Sequence, residues 1–182
     1  MRRRESRTGQ ELRIKNALTA LLCATLTVAS LNGCRSNGKR GDLISTSLSL
    51  SSYAQARQRA NPIGESSMYY FPMLEIYNDA GLLIYRSNES MANAQILKEF
   101  PNSVRNLRPQ QDAPRLAKIL EEIPDFKPRE QEIVGGKKLV ILSIALENCA
   151  GCTVQENALG DLKQRLLQEQ SVAILEITVA HP

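Results

Sequence analysis

The chain has no tryptophan, a single histidine (His181) and only four cysteines among its 182 residues. With one histidine, no Ser/His/Asp arrangement is arguable, which removes the familiar hydrolase triad. A nucleotide-binding loop is missing as well, because neither Gly135-Gly136 nor any other glycine cluster forms a phosphate loop. Two thiolates and an imidazole can hold copper or zinc. Structural zinc, however, usually needs four protein ligands, which this sequence does not obviously supply, so neither a metal nor another cofactor is expected. Beyond residue 33 there is no internal repeat and no apolar run long enough to span a bilayer as a helix.

What the chain does have begins at its start. Residues 1 to 33 show the three parts of a secretory signal: a basic opening (Arg2, Arg3, Arg4, Arg7, Arg13, Lys15), an apolar stretch from Ala17 to Leu31, and small residues before a cysteine. The paired arginines lack the rest of a twin-arginine signal. The end of this segment, Leu31-Asn32-Gly33-Cys34, resembles the lipobox of bacterial lipoproteins. Asn32 departs mildly from the small residues usual there. The resemblance implies that Cys34 becomes the first mature residue and carries acyl chains such as palmitate. Arg35, rather than an aspartate, follows it, which by the Gram-negative sorting pattern points to the outer membrane, facing the periplasm. An ordinary cleaved signal with an incidental cysteine is the plainer alternative.

This segment also accounts for the charge. The formal net charge is +4, but residues 1 to 33 hold six of the 23 basic and two of the 19 acidic residues, leaving 17 of each sign in the mature chain. The basic footprint of a nucleic-acid binder is absent, and that class is set aside.

From Arg35 to about Ser67 the composition is rich in Ser, Arg, Asn and Gly with scattered apolar residues, which predicts a flexible tether over 34–67 with room for a short helix around Tyr53 to Arg59. A single domain is expected over 68–182. Phe71 to Tyr77 and Leu82 to Arg86, separated by Asn78-Asp79-Ala80-Gly81, predict a β-hairpin. Ser90 offers an N-cap for a helix through Phe100, with Ala94, Leu97 and Ile96 inward and Pro101 ending it. Leu116, Ile119, Leu120 and Ile123 predict a helix from about Ala113 to Ile123, and Pro124 and Pro128 break the chain afterwards. Lys138 to Leu146 reads as a strand covered on both faces. A helix from about Thr153 to Glu169 presents Ala158, Leu159, Leu162 and Leu166 on one side, and Val172 to Val179 completes a β-α-β unit with parallel strands.

Chemistry concentrates between that strand and that helix. Cys23 falls in the removed segment and Cys34 in the anchor, so Cys149 and Cys152 are the only cysteines left to the folded part, and an exported chain holds them where disulfides persist. A cysteine at the first turn of a helix sits beside unpaired amides and the positive end of the helix dipole, which favours thiolate over thiol. Cys149 is then the attacking sulfur, and Cys152, three residues on and one turn deeper, is the resolving one. A purely structural disulfide gains little here, since stabilisation grows with loop length.

Leu139 to Leu146, Cys149-Ala150-Gly151-Cys152, and the helix and strand that follow resemble the thioredoxin-like family. The resemblance implies an α/β fold, a three-layer sandwich on a mixed four-stranded sheet, and thiol-disulfide exchange. It covers roughly a quarter of the chain. There are departures: Asn148, beside Glu147, replaces the tryptophan usual before the first cysteine, and the chain stops at Pro182 where the family continues to a cis-proline, a hairpin and a closing helix. Those pieces match Phe71-Pro72, the hairpin and the helix ending at Phe100, placed upstream instead. The domain is then circularly permuted, with Pro72 opposite the cysteines. In the alternative it is truncated, with the hairpin an N-terminal ribbon.

The expected function is a membrane-tethered extracytoplasmic thiol-disulfide oxidoreductase. It acts on thiols or disulfides of exported proteins and is recycled by a thiol-disulfide partner. Cys149 and Cys152 are catalytic, while Pro72 and Glu147 are candidate substrate contacts. The alternatives are a non-catalytic binding module whose disulfide is fixed and, below that, a copper-handling protein using the cysteines with His181.

Overall fold

The near-continuous apolar run at Leu139–Leu146 forms the central strand of a five-stranded sheet, one strand more than expected. The computed structural model describes residues 43–62, 68–166, 169 and 171–180, all inside one compact unit, Lys39–Pro182. In chain order the elements are β1 (Leu43–Ser49), α1 (Leu50–Ala60), β2 (Met73–Asn78), β3 (Leu83–Ser87), α2 (Ser90–Glu99), α3 (Leu116–Glu122), α4 (Glu130–Val134), β4 (Leu139–Leu146), α5 (Thr153–Arg165) and β5 (Val172–Ala180). The sheet order is β1-β5-β4-β2-β3. β1, β5 and β4 are parallel, while β2 runs antiparallel to both β4 and β3.

Helices cover both faces. Val140, Leu142 and Ile144 of β4 pack with Tyr53 and Ala56 of α1, Leu116, Ile119 and Leu120 of α3, and Ile133 of α4. On the other face Ile141 packs with Leu97 of α2 and Leu159 and Leu162 of α5. Burial of each such aliphatic side chain stabilises the fold by about 1.5–3 kcal/mol, which is why a strand with apolar residues on both sides takes the centre.

The hairpin forms as expected. Asn78 turns the chain: its Oδ1 accepts hydrogen bonds from the Ala80 and Leu82 amides at 3.1 and 2.9 Å. Gly81 supplies the positive φ of 68° that closes the turn. The β4-α5-β5 unit also forms with parallel strands.

The expected tether does not hold over Leu43–Ala60, although the short helix expected around Tyr53 to Arg59 does form there. Its serine-rich composition conceals a period of two: Ile44 and Thr46 are buried and Leu48 half-buried between exposed neighbours, so β1 adds to the edge beside β5. α1 follows at once, capped by the Ser49 hydroxyl, which accepts from the Ser52 amide at 3.1 Å. Structured chain therefore begins well before residue 68.

Helix ends moved too. Ser90 is inside α2, with Glu89 in the capping position and the Ser90 hydroxyl buried without a hydrogen-bond partner among the described residues. α3 starts at Leu116, with Arg115 extended in the capping position and the Leu116 amide donating to the Gly81 carbonyl at 2.9 Å. α5 stops at Arg165, where the guanidinium donates to the Leu97 carbonyl at 2.6 Å and ties it to the end of α2.

Candidate functional site

β4 delivers the cysteines. Past Leu146 the chain turns through Glu147, whose amide donates to the Val179 carbonyl at 2.8 Å, and through Asn148, held at φ 58°. Asparagine is among the few residues that accept this left-handed region readily, whereas a bulky side chain does not. A single 3-10 turn, Ala150–Cys152, follows and runs directly into α5. Cys149 therefore precedes the turn, and Cys152 stands at the entry of the α-helix rather than one turn inside it, a shift of register from the expected placement.

Cys149 and Cys152 form a disulfide, Sγ–Sγ 2.16 Å with Cα atoms 5.3 Å apart. Cys152 is fully buried, while Cys149 is half-buried at the edge. The two sulfurs thus differ in access, and the turn between them is closed by the Cys152 amide donating to the Cys149 carbonyl at 3.0 Å.

Pro72 reaches the same end of the sheet. Met73 pairs with Ile144 near the end of β4, so the residue before Met73 borders the exit of β4 toward the cysteines. Pro72 is buried, and the Phe71–Pro72 peptide is cis. Glu147 is exposed at the rim. The segments meeting at this end also expose large apolar side chains: Met68 and Tyr70 ahead of Pro72, Val154 in the first turn of α5, and Met91 in the first turn of α2. Cys34 and His181 lie outside the described residues. Among the described residues no His, Cys, Asp and Glu cluster could hold a metal ion, and no helix is long and apolar enough to cross a membrane.

One helical turn past Cys152 lies a buried polar network that the sequence reading missed. Gln155, on α5 three residues after Cys152, is fully buried. Its Nε2 donates to Ser143 Oγ of β4 at 3.0 Å and to the Met73 carbonyl at 3.3 Å, and its Oε1 accepts from Asn93 Nδ2 of α2 at 2.6 Å. Asn93, also fully buried, donates to the Ser87 carbonyl at 3.2 Å and accepts from the Tyr85 hydroxyl at 3.0 Å. Burial pushes the Tyr85 hydroxyl pKa up, so it stays a donor. The signal was present in the spacing: Gln155, Leu159 and Leu162 share one helical face, as do Asn93, Leu97 and Phe100, so each amide occupies a core position.

A second buried cluster lies on the opposite face of β2. Glu75 accepts from Arg57 at both oxygens, each 2.9 Å, and from the Tyr77 hydroxyl at 2.7 Å, while Arg86 Nη2 approaches to 2.7 Å. The Arg86 contact is an ion pair without hydrogen-bond alignment, since that Nη2 has no bond partner among the described residues. Burial alone drives the Glu75 carboxyl upward, but Arg57, Arg86 and the donated hydrogen bonds outweigh it and hold the group below the usual carboxylate range. Burial and the Glu75 charge together push Tyr77 well above the usual phenol range.

No protein-family model matches this chain, and neither a curated protein nor a solved structure matches it.

Proposed function

We propose that the protein is a lipid-anchored, extracytoplasmic thiol-disulfide oxidoreductase whose domain is a circularly permuted thioredoxin-like fold. One observation carries the reading: a Cys149–Cys152 disulfide at the exit of the central strand and the entry of α5, with one sulfur half-buried and the other enclosed. An accessible sulfur beside helix amides suits attack, and an enclosed one three residues away suits resolution.

Connectivity favours permutation over truncation. The proline, hairpin and helix that the family carries after its cysteine half stand here before it, from Pro72 to Glu99. The two halves join into one sheet through the antiparallel β2–β4 pairing, with Pro72 at the cysteine end. Met68, Tyr70, Met91 and Val154 give that end an apolar rim suited to an unfolded or loop segment of an exported protein. Pro72 and Glu147 are the proposed substrate contacts beside it. Anchorage through acylated Cys34, outer-membrane placement in a Gram-negative cell, and recycling by a thiol-disulfide partner complete the reading.

The test is thiol trapping over a pH series, together with an insulin-reduction assay. After mild reduction, Cys149 should be the domain thiol that alkylates readily, with a pKa below the free-cysteine value of about 8.5, and Cys149→Ser should abolish turnover. An unperturbed thiol with no turnover would instead assign the protein as a binding module with a fixed disulfide.

A further inference from the structure

Gln155 is a carboxamide placed where its helix otherwise packs leucines, fully enclosed, with both amide hydrogens and its oxygen engaged. Those bonds reach three separate elements. One goes to Ser143 of β4, three residues before the strand ends at Leu146. Another goes to Met73, the residue after Pro72. The third goes to Asn93, which is itself fastened to β3 through the Ser87 carbonyl and the Tyr85 hydroxyl. An apolar residue of similar size would fill the space without needing partners, whereas a fully satisfied buried network specifies one arrangement of the pieces it joins. Here those pieces are the helix turn that carries Cys152, the strand that delivers Cys149, and the strand that begins at Pro72.

Resting on the oxidoreductase reading, we infer that Gln155 and Asn93 are a positioning pair that holds Cys152 in register for ring closure against Cys149. In that step the Cys152 thiolate attacks the Cys149 sulfur of a mixed disulfide. The bond between Cys149 and the partner sulfur breaks, and the partner leaves as a thiolate that takes a proton from water. Across the full cycle the chain's dithiol becomes a disulfide, and the partner disulfide becomes two thiols. Closure is intramolecular, so its rate and equilibrium follow how often Cys152 is held within reach. Gln155 touches neither sulfur in its hydrogen bonding and acts through the placement of the first turn of α5.

The experiment equilibrates the full chain against a glutathione redox series. It compares wild type with Gln155→Met, which keeps the volume and removes the bonds, and with Asn93→Ala and the double variant. In Gln155→Met the equilibrium constant for closing the Cys149–Cys152 ring should fall about tenfold, comparable with the loss of one or two net hydrogen bonds. The Cys149–glutathione mixed disulfide should accumulate, and the double variant should fall no further than the larger single one. If both redox forms of Gln155→Met lose stability equally and the closing constant is unchanged, the pair is structural only and the inference is overturned. If wild-type Cys149–Cys152 does not exchange with glutathione at any ratio, the oxidoreductase reading itself fails, a result distinct from the first. Should Gln155→Met not fold, Ser143→Ala serves: it removes the strand end of the network without adding charge, and an unchanged closing constant would overturn the inference equally.

Discussion

β2 carries a buried polar cluster on each face, and the two are built from opposite materials. On the side of α1 and α3, Glu75 is wrapped by Arg57, Arg86 and Tyr77, an ionic assembly inside an otherwise apolar layer. On the side of α2 and α5, Gln155, Asn93 and Ser143 are joined by neutral hydrogen bonds, with Tyr85 as the one titratable member. Only the neutral cluster adjoins the cysteine turn. A buried carboxylate there would repel a developing thiolate and raise its pKa, whereas the carboxylates near the cysteines, Glu147 and Glu156, are exposed to solvent. The charged cluster fastens α1 to the sheet through Arg57, and aromatic contacts of Tyr53 with Tyr69 and Phe71 extend the same attachment toward Pro72. The fully buried charge lies on the face where it binds helix to sheet, whereas on the face where thiol chemistry is proposed the fully buried polar groups are neutral and the Lys163–Glu176 ion pair is partly exposed.

The largest effect should come from breaking the charged cluster. Glu75→Leu leaves Arg57 buried without its counter-charge and should lower unfolding free energy by about 3–5 kcal/mol in urea titration. Arg57→Met combined with Glu75→Leu should recover much of that loss, because removing both charges restores an apolar contact. Losses that simply add in the double variant would show that the pair is not coupled.

Acid should reproduce part of the same loss without mutation. The folded pKa of Glu75 lies below the unfolded carboxylate value of about 4.3. Its stabilisation is therefore complete above that unfolded value and is lost as pH falls through the lower folded one. Thermal unfolding followed from pH 6 downward should show an acid limb that is shallower in the double variant. The network around Gln155 should contribute nothing to that limb, as none of its groups titrates there.

Legibility in the sequence followed the same division. The hairpin, β4, α5, β5 and the cysteine junction were readable because unbroken apolar runs and an Asn/Gly turn have few alternative structures. The buried charges were not readable: Glu75 sits between Leu74 and Ile76 in a run whose neighbours face the opposite layer, and no local pattern names Arg57, 18 residues earlier, as its partner. β1 was masked because serine composition reads as linker, while its inward positions, Ile44, Thr46 and Leu48, carry only modest apolarity. Edge strands gain order from their neighbour, here β5, and that partner is more than 120 residues away in sequence.

The smallest expected effect lies at Asn148, which belongs to neither cluster. Its φ of 58° is tolerated by asparagine and glycine, while a β-carbon followed by bulk crowds the carbonyl, at roughly 1–2 kcal/mol. Asn148→Gly should leave the thermal midpoint nearly unchanged, and Asn148→Val should lower it by the few degrees that such a penalty implies for a domain of this size. Asn148→Trp should destabilise as well, since a bulky side chain is poorly tolerated at this φ. A stable Asn148→Trp variant would mean that the turn relaxes to negative φ. The separation between a rigid cysteine turn and the neutral network that follows it would then be weaker than the comparison of the two faces requires.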